Sequence, residues 1–236
     1  MKKNIPNVIT LFNLFCGCCA VASVFYGQFV QAFWFYFAGG VADYLDGTAA
    51  RWLKVRSSLG KELDSIADMV SFGVVPGAIL YILLVKGLKG QDVLPIELTL
   101  VAAPAFLVSV MSGLRLAKFN LDTRQTEDFI GLPTPACTTF TVGLLLIFHY
   151  NSFGLADVVI NPFFLGFTIL ALSYLLVAEL PLFSFKFKSG AWKGNEIRYV
   201  FGIASILALI FLKEVALALM ILIYVLLGIV LKVIKS

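Results

Sequence analysis

Hydrophobic residues run through this chain in long blocks, not in the short alternation of half-buried strands. Apolar stretches of roughly 20 residues recur from end to end, broken by brief polar connections. Each is long enough to cross about 30 Å of hydrocarbon as a helix. The pattern predicts eight membrane segments, at about 8–26, 29–50, 61–85, 97–119, 134–150, 163–184, 197–212 and 214–234. The 197–234 stretch is too long for one helix, and Lys213-Glu214 marks its turn. The 29–50 segment is the least typical, because it ends in charged residues. In hydrocarbon every backbone polar group must be satisfied within the structure, which leaves helices or a closed barrel. The ten-residue alternation of a barrel is absent. The expected fold is therefore all-α, a polytopic transmembrane helical bundle of about eight helices.

Composition agrees. Apolar residues make up 60% and charged residues 14%, with a mean hydropathy of +0.96. A soluble domain carries about 25% charged residues. Little chain is left for a separate soluble unit, so residues 1–236 read as one integral membrane domain. The net charge of +4 matters less than its placement. With the N-terminus inside, Lys2, Lys3, Arg51, Lys54, Arg56, Lys61, Arg115, Lys118, Arg124, Lys186, Lys188, Lys193, Arg198, Lys232 and Lys235 are all cytoplasmic. Only Lys86, Lys89 and Lys213 fall outside. By the positive-inside rule both termini are expected in the cytoplasm. The first residues through Ala20-Val21-Ala22 also have the outline of a cleaved signal peptide, but Pro6, Asn7 and Asn13 fit it poorly.

Cys16, Cys18, Cys19 and Cys137 show neither zinc-pair nor disulfide-framework spacing, and read as packing residues. The single histidine, His149, reads as an interfacial residue. Charged residues inside membrane segments are costly and are functional candidates by default. Asp43 and Asp46 are three apart, and Asp64 and Asp68 four apart. Each spacing puts both carboxylates on one helix face. The connection between the two helices is short, so the four acids can gather at the cytoplasmic membrane edge. Four nearby anions require protons or cations to coexist. Hard oxygen ligands suit magnesium, manganese or calcium. Four carboxylates can hold two ions, a recurrent device for displacement at phosphorus.

Gly47 lies four after Asp43, Ala50 four after Asp46, and Gly60 four before Asp64. Each acidic stripe thus continues into residues with almost no side chain. Tight helix packing explains such residues, and so does a flat surface for a ligand. Arg51 sits one turn beyond Gly47, where it can reach a phosphate.

Written out, the stretch is Asp43-x2-Asp46-Gly47-x2-Ala50-Arg51-x8-Gly60-x3-Asp64-x3-Asp68. It resembles the complete signature of the CDP-alcohol phosphotransferases, with every position filled. The motif lies within a signature-bearing core of about 1–150, and the helices of about 163–236 are additional to it. The resemblance implies a donor with a cytidine diphosphate head, CDP-diacylglycerol or CDP-archaeol. A hydroxyl acceptor would attack the lipid-side phosphorus and CMP would leave. It further implies Asp43, Asp46 and Asp64 as metal ligands. Asp68 would be the general base and a further metal ligand, and Gly47, Ala50 and Gly60 would line the cytidine or diphosphate site. The cofactors expected are two divalent cations, Mg2+ or Mn2+, with Ca2+ as a non-productive occupant. Pro6-Asn7-x2-Thr10-x2-Asn13 opens the first helix. Helix initiation explains it; similar openings in the family put Asn7 or Thr10 toward the nucleotide.

Arg115-Leu116-Ala117-Lys118-Phe119-Asn120 and Phe129-Ile130-Gly131-Leu132-Pro133-Thr134-Pro135 resemble the serine-using branch of this family, the phosphatidylserine synthases. Arginine can hold the carboxylate of L-serine bidentately, which makes Arg115 and Lys118 acceptor-binding candidates. Both are also readable as ordinary positive-inside residues, Lys118 more readily than Arg115, which sits further into the segment, and a phosphorylated polyol such as glycerol phosphate or inositol phosphate would suit the same cations. Glu179 falls inside the sixth expected segment, and Lys186, Lys188, Lys193 and Arg198 form a basic cluster facing anionic headgroups. The resemblance also implies a homodimer among membrane lipids; no nucleic-acid partner is expected. A cation-coupled transporter would also place acids in the membrane. Acids at one edge, not at the midplane, and the lack of an inverted repeat speak against it. A scaffold binding structural metal leaves the aligned small residues and Arg51 unexplained.

Overall fold

The computed structural model describes residues 4–55, 57–93, 97–122, 129–182 and 195–235. Lys2, Lys3, Arg56, Arg124 and the basic residues Lys186, Lys188 and Lys193 lie outside the described residues. The fold is all-α apart from one two-residue ladder. Helix α1 (Ile5–Phe25) begins at Pro6, whose missing N–H is no loss in a first turn. Helix α2 (Phe29–Trp52) follows after a tight turn with Gly27 at φ 72°.

The chain then enters a 32-residue helical run, Ser58–Lys89. It comprises α3 (Ser58–Asp68), a π-helical stretch at Met69–Val74, and α4 (Val75–Lys89). Ser57 caps α3, its hydroxyl accepting from the Gly60 N–H at 3.0 Å. The π stretch has a chemical cause. Pro76 offers no N–H and its ring crowds the carbonyl one turn back, at Phe72. That carbonyl lies 3.0 Å from the hydroxyl of Thr138, in the later helix Thr134–Tyr150, and shares its proton with the Thr134 carbonyl at 2.9 Å. A neighbouring hydroxyl thus satisfies the freed group, as hydrocarbon demands. Helix α4 is the axis of the bundle, buried on every side from Val75 to Lys86.

A 3-10 turn at Leu100–Phe106 contains Pro104 and leads into α5 (Leu107–Leu121). Strand β1 (Phe129–Ile130) precedes α6 (Thr134–Tyr150). Gly131 has φ 78°, and a Cβ there would lie 2.8 Å from the Leu176 carbonyl, so only glycine fits the entry to α6. The short α7 (Ala156–Val159) and α8 (Pro162–Val177) follow. Strand β2 (Pro181–Leu182) pairs antiparallel with β1, and α9 (Glu196–Leu212) and α10 (Val215–Lys235) end the chain. Lys213, at φ 50°, makes the turn between α9 and α10 where the sequence predicts it.

Among the described residues, three helical runs are long and apolar enough to cross a membrane: Ile5–Phe25, Ser58–Lys89 and Leu100–Leu121. Shorter apolar helices occur at Thr134–Tyr150, Pro162–Val177, Arg198–Leu212 and Val215–Val230. The molecule is therefore an all-α membrane protein. Helices occupy all eight expected positions, but the sixth ends early. The expected segment reached 184, whereas α8 stops at Val177 and Ala178 turns extended. Glu179 accordingly lies beyond the helix, in the connection to the β ladder, where Pro181 cannot continue a helix. The four cysteines are free, with Cys16 and Cys137 buried. His149 is exposed at the end of α6, edge-on to Phe29 with ring centroids 6.0 Å apart.

Thr138→Val keeps the shape of the side chain but leaves the Phe72 carbonyl without its donor. It should destabilise the protein by about 1 kcal/mol, with Thr138→Ser near the parent, as read by thermal unfolding in micelles. Equal melting of all three would show that this hydrogen bond does not sustain the π stretch.

Candidate active site

The helices α2 and α3 meet across the connection at residues 53–57, where Lys54 adopts φ 52° and the Val55 N–H bonds back to the Ala50 carbonyl at 3.0 Å. This sharp return brings the two acidic stripes together. Asp43, Asp64 and Asp68 each present a carboxylate oxygen, all within 4.8 Å of one another. Asp46, one turn nearer the connection, is buried and accepts from the Thr10 hydroxyl at 2.6 Å. That bond ties α1 to the acidic face of α2.

Helix α1 is seated there by close backbone approach. A Cβ on Gly39 would lie 3.0 Å from Asn13 Oδ1, and one on Gly17 would strike Ser71. The Ser71 hydroxyl also donates to the Asn13 carbonyl at 3.1 Å. Gly39 is one turn before Asp43 and Ser71 three residues after Asp68, so Asn13 is wedged just beneath the acids. Its side chain is fully buried, and neither polar atom has a hydrogen-bond partner.

Above the acids lies a cleft of about 520 Å³ lined by Asn7, Thr10, Asp46, Gly47, Ala50, Gly60 and Asp64 among others. Every expected nucleotide-side residue except Arg51 lines this one cleft. Arg51 is exposed on the neighbouring face of α2, donating to the Thr48 hydroxyl at 3.0 Å. It borders a second gap together with Asp43 and Gly47.

The small residues separate into two kinds. A Cβ on Gly60 would lie 3.0 Å from both Asn7 Oδ1 and Ser57 Oγ. Close packing accounts for that glycine. A Cβ on Gly47 would meet nothing nearer than Arg51 Nη1, at 3.9 Å. Packing does not require glycine there, and the space that a side chain would fill opens on both gaps.

The residues present suit divalent cations. Three carboxylates converge, and Asp68 Oδ1 is buried with no hydrogen-bond partner. An anionic oxygen so placed is costly to leave unpaired, and the donor set is all oxygen, as hard cations require.

Near Asp68 stands Arg115, 7% exposed, with Asp68, Cys137 and Tyr224 as its electrostatic neighbours. Its guanidinium lies 5.6 Å from the Phe119 ring centroid, and its Nε has no hydrogen-bond partner among the described residues. A buried arginine is far from an ordinary positive-inside residue, which would project into water. Lys118, three positions on, is exposed. Ser112, one turn before Arg115, is buried and its hydroxyl unpartnered. The spacing of Ser112 and Arg115 could have signalled this pair. The cleft-lining Ser57, Ser58 and Lys61 were visible only as loop and first-turn residues. Asn120 Nδ2 donates to Ser65 Oγ at 2.8 Å, fastening α5 to α3 beside the acids.

Comparison with known proteins bears on this arrangement. The sequence profile of the family described as CDP-alcohol phosphatidyltransferase matches residues 3–178. A Bacillus subtilis protein named CDP-diacylglycerol–serine O-phosphatidyltransferase is 34% identical over 194 residues, covering 80% of this chain and 98% of the relative. A Helicobacter pylori protein of the same name is 34% identical over 186 residues, covering 77% and 72%. One from Methanocaldococcus jannaschii is 32% identical over 139 residues, 59% of each chain.

The two glycines should answer to alanine with opposite signs in thermal unfolding. Gly47→Ala adds a methyl in open space and gains helix propensity, so it should stabilise by about 1 kcal/mol. Gly60→Ala must displace Asn7 or Ser57 and should destabilise. A destabilised Gly47→Ala would mean that this glycine serves packing after all.

Proposed function

The chain belongs to the CDP-alcohol phosphatidyltransferase family, and from that premise we infer that it is a phosphatidylserine synthase. It would transfer a phosphatidyl group from a CDP-linked diacyl lipid to the hydroxyl of L-serine, releasing CMP. The observation that carries the acceptor assignment is Arg115, a buried cation beside Asp68 with an unpartnered N–H. Relatives bearing the serine-transferase name over most of both chains support the same reading.

The nucleotide end of the donor is assigned to the cleft of Asn7, Thr10, Gly47, Ala50 and Gly60, with Arg51 reaching the diphosphate from its rim. Asp43, Asp46, Asp64 and Asp68 would hold two divalent cations, Mg2+ or Mn2+. When bound, such ions neutralise the diphosphate and the charge that develops at phosphorus. Thr10 holds Asp46 through its hydrogen bond and so fixes one carboxylate for that task. Arg115 clamps the serine carboxylate, and Ser112 is placed to add a hydrogen bond. Lys118, on the exposed face, would draw the anionic carboxylate toward the surface. With serine so anchored, its hydroxyl is presented to Asp68, which accepts the proton. The new bond joins serine Oγ to the lipid-bearing phosphorus; the bond that breaks leads to the CMP phosphate, which departs with the electron pair. Positioning and charge neutralisation suffice, and no separate protein nucleophile is invoked.

The placement of basic residues supports a multi-pass chain with both termini and the site on the cytoplasmic side. The helices at the eight expected positions are read as eight spans in a single domain, the last two additional to the core. By family resemblance the working unit is a homodimer.

CMP release by purified protein in lipid, with CDP-diacylglycerol, Mg2+ or Mn2+, and serine or glycerol phosphate supplied separately, tests the reading. Product is expected with serine only, and Asp68→Asn should lose at least about 100-fold in kcat. Arg115→Ala should raise the KM for serine by about tenfold or more, with binding of the CDP lipid unchanged. Product with glycerol phosphate alone would keep the family and overturn the acceptor.

A further inference from the structure

Buried polar groups are nearly always hydrogen-bonded, and each exception has a cause. Asn13 is an exception. Its side chain is fully buried in α1, and neither Oδ1 nor Nδ2 has a partner among the described residues. It is the innermost step of a polar stripe, Asn7, Thr10 and Asn13, at intervals of three along one face of α1. Contacts along the stripe fix its register against the acids. On α2, Thr10 bonds to Asp46 and Asn13 packs on Gly39, so Asp43 lies between those two contacts. On the run that begins with α3, Asn7 meets Gly60, and the Asn13 carbonyl accepts from the Ser71 hydroxyl. Asp64 and Asp68 lie between those two contacts. Asn13 thus sits at the inner end of both acidic stripes, one turn from Asp43 along α2 and from Asp68 along its neighbour.

Packing does not explain the residue type. Oδ1 is the branch against Gly39, where a Cβ would lie 3.0 Å away. An apolar side chain in the same place would carry no penalty for buried, unpaired polar atoms. A complementary group stands close by. Asp68 shares a hydrogen bond with the Asp43 side chain, and its Oδ1 is buried without a partner among the described residues. An amide N–H and a carboxylate oxygen so placed meet by side-chain rotation, and the terminal torsions of Asn and Asp are soft. One turn nearer the surface the same face of α1 already makes such a bond, from Thr10 to Asp46 at 2.6 Å.

Resting on the functional reading above, we propose that Asn13 is a positioning residue for the cation site, its Nδ2 donating to Asp68 Oδ1 when the acids gather around cations. A hydrogen bond to a carboxylate is charge-assisted and holds its acceptor in one orientation. The other oxygen of Asp68 is then left for a cation and for the proton of the acceptor hydroxyl. Thr10 and Asn13 play matching parts, one fixing Asp46 beside the cleft and the other Asp68 beneath it. The cation-free protein carries the unpaired amide as a standing cost in stability, a pattern expected of a residue kept for function.

The dissociation constant of Mn2+, read by electron paramagnetic resonance, and the melting temperature with EDTA or Mn2+ are measured for the full chain in nanodiscs. The set comprises the parent, Asn13→Leu, Asn13→Ala, Asp68→Asn and the two double variants. Both Asn13 variants should bind Mn2+ about tenfold more weakly or worse. In the Asp68→Asn background the same substitutions should change the affinity by less than about twofold, because the residue through which Asn13 acts is gone. With EDTA, Asn13→Leu should melt no lower than the parent, while its gain in melting temperature on adding Mn2+ shrinks. In turnover, kcat should fall and the KM for CDP-diacylglycerol stay within about twofold. Parental Mn2+ affinity in both variants overturns the proposal. So does an equal loss of affinity in the Asp68→Asn background, or melting of both variants below the parent in EDTA, since the asparagine would then serve the fold. Those results leave the phosphatidyltransferase reading intact if the parent binds Mn2+ and releases CMP. A parent that does neither overturns that reading, and the role of Asn13 with it.

Discussion

Four carboxylates held together at the edge of hydrocarbon are the constraint on which the structure depends. Like charges this close resist assembly, so the surrounding elements must force it. The return at residues 53–57 brings α2 and α3 face to face, with Ser57 capping the second helix. Thr10 pins Asp46, while Gly17 and Gly39 let α1 approach closely enough to hold Asn13 under the cluster. Asn120 ties α5 to α3. The π stretch directly follows Asp68, and a widened turn there sets the direction in which the rest of that helix leaves the acids. Part of the stability of the bundle thus offsets the repulsion of carboxylates that protons or a bound cation would relieve.

Much of this was legible in the sequence, for physical reasons that differ by element. The helices showed themselves because a membrane span must be a long apolar run. The four aspartates and the small residues between them were readable because their spacings fix a helix face. The π stretch was not read, although Pro76 marked it, because its resolution depends on Thr138, more than 60 residues away. The end of α8 was missed because the apolar run continues through Leu180 and Leu182; backbone pairing between β1 and β2, not hydropathy, ends the helix there. Burial decided what spacing left open. Arg115 and Lys118 look alike on paper, yet one is interior beside Asp68 and the other exposed. Gly47 and Gly60 also look alike, and only their neighbours distinguish an open threshold from a packing contact.

The proposed function makes one end of this geometry a nucleotide site. Charge is handled within residues close to the α2–α3 return, where helix ends and short side chains leave room for a nucleotide. On the proposed reading the reacting phosphorus would lie near Asp43 and Arg51, beside the glycine that lines both the cleft and the neighbouring gap. Placing the acceptor from the opposite side, near Arg115, would line up attacking and departing oxygens across the acids.

That account stands on the acids acting together as a cation site. The most direct measurement is the number of Mn2+ ions bound per chain by the purified protein, read by electron paramagnetic resonance in the presence of CDP. Two ions per chain, falling in Asp64→Asn and Asp43→Asn while the helical content is kept, is the result expected. Binding that is unchanged by either substitution, or no binding above that of the lipid alone, would contradict it.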